Sequence, residues 1–165
     1  MQPGDRRSAT RAQKARTLLQ SRRFGVLATV SKRIPGYPFA SVTPFTVDPE
    51  GRPLFLMSGL AVHAKNIQDD PKASLLIFEP EAEQAPLGAA RMNVMGEVHP
   101  VPDAEVQAAR DLYLEQHPES EQWMGFGDFR LYRMSVADVY YIGGFGEMGW
   151  VSRGDFAGAA PESES

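Results

Sequence analysis

Apolar positions recur along this chain at two spacings, and each spacing marks a kind of element. Ala12, Ala15, Leu18 and Leu19 keep helical period, so a helix is predicted from a Ser8 or Thr10 cap to about Arg22, with Gly25 as its stop. Residues 25–31 form a short β-branched strand, and 33–38, with Pro35, Gly36 and Pro38, form a turn. Beyond it Phe39, Ser41, Thr43, Phe45 and Val47 fall on one face and Ala40, Val42, Pro44 and Thr46 on the other. Pro44 has no amide hydrogen, so this strand is expected at an edge, bulged or broken there. Asp48-Pro49-Glu50-Gly51 carries type I turn residues and joins it to a strand over 54–57 as a hairpin. A short helix with His63, Lys65 and Asn66 follows, stopped at Asp70-Pro71, and then a strand over 73–78.

The second half continues the pattern. Residues 79–90 hold Pro80, Pro86, Gly88 and three glutamates and are expected to be an exposed loop. In 91–99, Met92, Val94, Gly96 and Val98 oppose Arg91, Asn93, Met95, Glu97 and His99, so the polar side faces water or a ligand. Pro102, Asp103 and Glu105 open a helix striped by Val106, Ala109 and Tyr113. Two strands are predicted over 129–134 and 136–142, and a last segment over 148–151. Residues 153–165, small and polar, are expected to be a disordered tail after a single domain spanning 1–152. Six or seven short antiparallel strands with three helices predict a mainly β (α+β) fold, a small barrel with helices over its ends.

The stretch 54–79 carries the candidate chemistry. A helix's first-turn amides lack internal partners and carry the positive end of its dipole, so a strand feeding such a helix through the small turn Ser58-Gly59 can receive a phosphate. Lys65, a protonated His63 and the Ser58 hydroxyl would add donors. The alternative on the same residues is a solvated Lys65 and Asn66 with a partly buried His63, since this is neither a P-loop nor a Rossmann glycine run.

Composition narrows the classes. The 165 residues are 42% hydrophobic and 23% charged, as in a globular protein, and no apolar run approaches the roughly 18 residues of a membrane span. With no apolar segment at the start and no cysteine, a cytoplasmic protein without disulfides or thiolate metal sites is expected. A net charge of −4 argues against a general nucleic-acid binder, so the basic residues between Arg6 and Arg33 are assigned to a solvated helix face. A Ser/His/Asp triad lacks the glycine pattern of a nucleophile elbow.

Taken together, 54–78, Gly36-Tyr37-Pro38-Phe39-Ala40-Ser41, the run 125–132 beginning Gly125-Phe126-Gly127-Asp128, and Tyr141-Ile142-Gly143-Gly144-Phe145-Gly146 resemble the pyridoxamine phosphate oxidase-like FMN-binding split barrels. Within them the similarity is to the heme-utilisation (HugZ-type) and CREG-like branch. The resemblance implies a six-stranded antiparallel Greek-key split β-barrel with flanking helices, forming a homodimer with FMN in a groove between subunits. It places the phosphate on Ser58, His63 and Lys65, beside Asn66, and the isoalloxazine against the backbone of Ala40, Ser41, Val42 and Thr43 and against Arg91, five residues before Gly96. Trp150 or Phe145 could stack on the ring. Ala64 stands where the oxidase has an arginine beside its phosphate lysine, and no match to the vitamin B6 substrate residues follows Gly146. The implied function is an FMN-dependent oxidoreductase on an unknown small substrate. The alternatives are a heme-binding or heme-degrading protein, with His63, His99 or His117 as axial ligand, and a cofactor-free interaction module.

Overall fold

A computed structural model describes residues 9–163. Helix α1 (Arg11–Ser21) starts at a capping box, in which the Gln13 amide donates to Thr10 Oγ1 and the Thr10 amide to Gln13 Oε1. Ser8, the other cap candidate, lies outside the described residues. Gly25 does not stop this helix, which ends at Ser21; it is buried inside strand β1 (Phe24–Val30).

β2 (Pro38–Pro44) ends at the proline as expected, and after Phe45 the chain resumes as β3 (Thr46–Val47). The Asp48–Gly51 turn closes with the Gly51 amide donating to the Asp48 carbonyl at 2.9 Å and leads into β4 (Pro53–Ser58). α2 (Val62–Asp69) and β5 (Lys72–Phe78) complete the central unit. β6 (Arg91–Pro100), α3 (Val106–Gln116), the short α4 (Glu121–Met124), β7 (Phe129–Ile142), β8 (Met148–Ser152) and α5 (Arg153–Gly158) follow.

All strands join one antiparallel sheet ordered β2-β1-β5-β6-β7-β4-β3, with β8 also on β7. β5, β6 and β7 form a meander and β4 returns beside β7, the Greek-key arrangement. The curled sheet is the expected split barrel. Its eight strands exceed the six implied because Pro44 divides one of them and β8 is added at the end.

Two differences have clear causes. The pair of strands predicted over 129–134 and 136–142 is the single 14-residue β7, because Ser135 stays in register with Glu97. The register shift falls instead at Met95/Gly96, where a Cβ on Gly96 would sit 2.1 Å from the Ser135 carbonyl oxygen, so only glycine fits the kink. The expected disordered tail is also corrected. Ser152 caps α5 by accepting from the Asp155 amide, and Phe156 is 1% exposed. Arg16, buried in α1, holds that helix: its Nη1 donates to the Phe156 carbonyl at 3.0 Å and its guanidinium lies 5.5 Å from the Phe156 ring. Two apolar clusters make up the core, a large one inside the sheet and a smaller one of Leu54, Val101, Ala109, Tyr113 and Leu131 under α3.

Candidate functional site

The expected phosphate residues meet where β4 hands over to α2. The first intrahelical bond runs from the Lys65 amide to the Ala61 carbonyl at 3.1 Å, and Ala61 supplies no side-chain cap. The amides of Val62, His63 and Ala64 therefore have no hydrogen-bond partner among the described residues. Lys65 is exposed and makes no ion pair among the described residues. That much suits an anion.

The neighbouring side chains suit it less. Ser58 Oγ donates to Asp128 Oδ2 at 2.6 Å and accepts from the Leu60 amide, while the Gly59 amide donates to the Asp128 carbonyl at 2.7 Å. A phosphate would have to take the Ser58 hydroxyl from a carboxylate that repels it. Asn66 is no surface donor: at 2% exposure it donates to Thr29 Oγ1 and accepts from the Lys32 amide, tying α2 to the end of β1. His63 and Lys65, two apart on a helix, project from different sides.

His63 turns toward the sheet edge instead. Its Nδ1 lies 3.4 Å from Ser41 Oγ, and burial pushes its pKa below the ordinary 6.5, so the neutral imidazole is favoured. Burial thus works against a protonated His63 as a partner for a phosphate. A neutral ring with one nitrogen toward a hydroxyl and Nε2 without a hydrogen bond among the described residues is, however, what an iron ligand requires.

Beside His63 runs the open edge of β2. Phe45 donates its amide to the Arg23 carbonyl and Ser31 to the Tyr37 carbonyl, so odd-numbered residues of this segment bond to β1 and even-numbered ones point their backbone outward. Pro38 and Pro44 lack an N–H, which leaves the amides of Ala40 and Val42 as the open donors of this edge. The Thr43 side chain is buried and donates to the Ser41 carbonyl. Ala40, Ser41, Val42 and His63 thus form one seam between α2 and β2.

Arg91 and Trp150 lie elsewhere. Arg91 is three strands from β2, about 14 Å along the sheet at about 4.8 Å per strand, and its Nη1 donates to the carbonyls of Pro86, Leu87 and Ala89. Trp150 is five strands away, about 24 Å, packed edge-on against Tyr140 and 60% exposed. Within this chain neither joins the seam.

The other histidines differ. His99 is exposed, its Nε2 3.1 Å from Glu97 Oε2. His117 is 3% exposed and stacks on Tyr113; its Nε2 donates to the Phe45 carbonyl at 2.8 Å and its Nδ1 faces Glu119 Oε1 at 3.4 Å. With both nitrogens engaged, it is structural. The residue that sequence reasoning missed is Asp128, quoted only as part of a motif; its polar side chain after Gly125-Phe126-Gly127 was the available signal.

The chain is 36% identical over 129 residues to the chloroplastic heme oxygenase HOZ of Arabidopsis thaliana, an alignment covering 78% of this chain and 39% of that one. The structure of a heme binding protein from Mycobacterium smegmatis superposes with a TM-score of 0.86 at 30% identity, covering 93% of this chain and 62% of that one. A Clostridium acetobutylicum protein related to general stress protein 26, of the pyridoxinephosphate oxidase family, shares the fold with a TM-score of 0.66 at 11% identity, over 88% and 96% of the two chains. Three curated relatives are covered over 39%, 56% and 62% of their own lengths, so this chain spans only part of each. The model described as "CREG, beta-barrel" matches residues 6–157. On that match, and with a pyridoxamine phosphate oxidase-like split barrel as its fold, the chain belongs to the CREG β-barrel family.

Proposed function

We propose that this protein binds heme at the seam between α2 and β2, with His63 Nε2 as the iron ligand. The observation that carries this is the half-buried His63 with Nδ1 turned to Ser41 Oγ at 3.4 Å and Nε2 without a hydrogen bond among the described residues. The similarity to a heme oxygenase and to a heme-binding protein supports it. Heme, when bound, would supply the iron and its redox chemistry; the chain supplies the ligand, the open amides of Ala40 and Val42, and Lys65 as a cation for a propionate.

FMN is the second reading, favoured by the open first-turn amides of α2 next to Lys65 and weakened by Asp128 and Ala64. An FMN-dependent oxidoreductase remains the activity attached to it. Titrating the purified protein separately with hemin and with FMN separates the two. A shifted Soret band that weakens in His63→Ala is expected; wild type that leaves the hemin spectrum unchanged while binding FMN overturns the heme reading in favour of the second.

A homodimer belongs to the same proposal. The outer face of the sheet carries Val42, Val26, Leu76, Asn93, Tyr140 and Trp150 in one cross-strand row, beside exposed Phe24 and Met148. Such a broad apolar face calls for cover, and a second copy would bring a second Trp150 and Arg91 to the assembly. Sedimentation at roughly twice 18.2 kDa is expected, and a monomer at micromolar concentration defeats it. Among the described residues no helix is long and apolar enough to cross a membrane. The absence of cysteine fits a reducing compartment such as the cytoplasm.

A further inference from the structure

A concavity lies between the β4–β7 pair and α3, and neither the heme nor the FMN reading uses it. Its volume is about 270 Å³. Leu56, Val101, Val106, Met124, Phe129 and Leu131 line it with apolar surface, and Asp103, Arg110 and Arg130 add the charge. The floor is fixed in place: Leu56 pairs with Leu131 across the sheet, and the Val101 amide donates to the Leu131 carbonyl at 2.9 Å. Nearby arginines are committed, Arg133 to Glu105 at 2.8 Å and Arg52 to Asp48 at 2.6 Å. The side chains of Arg110 and Arg130 make no hydrogen bond or ion pair among the described residues, although Asp103 lines the same cleft.

We infer that this cleft binds a small monocarboxylate with an apolar body, such as a short fatty acid or an aromatic acid. Two guanidinium groups and one carboxylate leave a net charge of +1, which complements a single negative charge and not a phosphate dianion. The walls would bury a hydrocarbon, and the guanidiniums would hold the carboxylate in charge-assisted hydrogen bonds. At 270 Å³ the cleft falls just under the roughly 300–1,000 Å³ of sites for drug-sized ligands, so it excludes a porphyrin and suits a smaller molecule. This site is independent of the heme reading.

Octanoate is the probe, its binding followed by calorimetry and by amide chemical shifts in the full chain. Saturable binding is expected, with shifts at Val101 and Leu131, and octylammonium, of equal length and opposite charge, should not bind. Arg110→Met and Arg130→Met should each weaken octanoate about tenfold while leaving the melting temperature unchanged. Equal binding of octylammonium, or undiminished octanoate affinity in the Arg110→Met/Arg130→Met double variant, would show mere hydrophobic adsorption and overturn the proposal. So would competitive displacement of octanoate by hemin, which would merge this cleft with the seam at His63. Absence of octanoate binding to wild type at millimolar concentration overturns it outright.

Discussion

The corner at His117 and the seam at His63 each set a histidine between a helix and the broken edge strand, yet the two are wired in opposite ways. At the corner, the Phe45 carbonyl freed by the break after Pro44 is taken by Nε2, Tyr113 stacks on the ring at 4.7 Å, and Glu119 stands at Nδ1. The Glu119 carboxyl lies below its usual range, chiefly through a hydrogen bond involving its own backbone and also through His117, and burial pushes the Tyr113 hydroxyl up to about 12. At the seam, one long contact to Ser41 is the only hydrogen-bond contact of the His63 side chain among the described residues, and the nearby amides of α2 and β2 stay open there. Closed polar wiring stabilises a fold, and open wiring leaves donors and a ring nitrogen available to a ligand. The histidine itself does not reveal which it is.

Exchanging the residues should expose that difference. The largest effect is expected for His117→Ala, which strands the Phe45 carbonyl and leaves a cavity against Tyr113, at a cost of about 3 kcal/mol. Its melting temperature should fall by roughly 6–12 °C, while hemin affinity in the folded protein stays unchanged. A stable His117→Ala protein would erase the contrast. His63→Ala should do the reverse, lowering hemin affinity ten- to a hundredfold with stability within about 0.5 kcal/mol of wild type in a urea titration.

A smaller change is expected for Asp128→Asn. Removing the carboxylate that holds the Ser58 hydroxyl should raise affinity for FMN or inorganic phosphate a few-fold, by about 1 kcal/mol at most. Affinity that falls instead would mean that Asp128 organises the α2 entrance for the anion.

The smallest effect concerns pH. His63 has its folded pKa lowered below 6.5 by burial, so the unfolded chain binds more protons in the window between the folded value and 6.5. Its contribution is therefore fully present above 6.5 and lost as pH falls through the lowered value. Urea midpoints on either side of 6.5 should show this slope in wild type and lose it in His63→Gln; an equal slope in the variant would assign it to other groups.

Elements that declare themselves over a few consecutive residues were legible in the sequence. Pro44 announced its strand break by lacking an amide, Thr10 was one of the two residues offered as the cap of α1, and the alternation over 91–99 marked β6. Pairings over long separations were not. Ser58 meets Asp128 across 70 residues, Asn66 meets Thr29 across 37, and Arg16 meets Phe156 across 140; no local pattern encodes such meetings. That explains why Asn66 resembled a surface donor and why residues 153–158, small and polar except for Phe156, resembled a tail. The seam itself was half legible: the open helix terminus was, but the orientation of His63 toward Ser41 depends on how α2 lies over β2.

The spacing of Pro38 and Pro44 has a consequence for how copies of this protein behave when crowded. An unprotected edge strand offers alternate N–H groups to any extended chain, the route to fibrillar stacking. Here the prolines silence both ends of the row and leave two neighbouring outward donors, too few for another strand to zip onto but enough for a small molecule to touch. The edge can stay open for a ligand without becoming a template for aggregation.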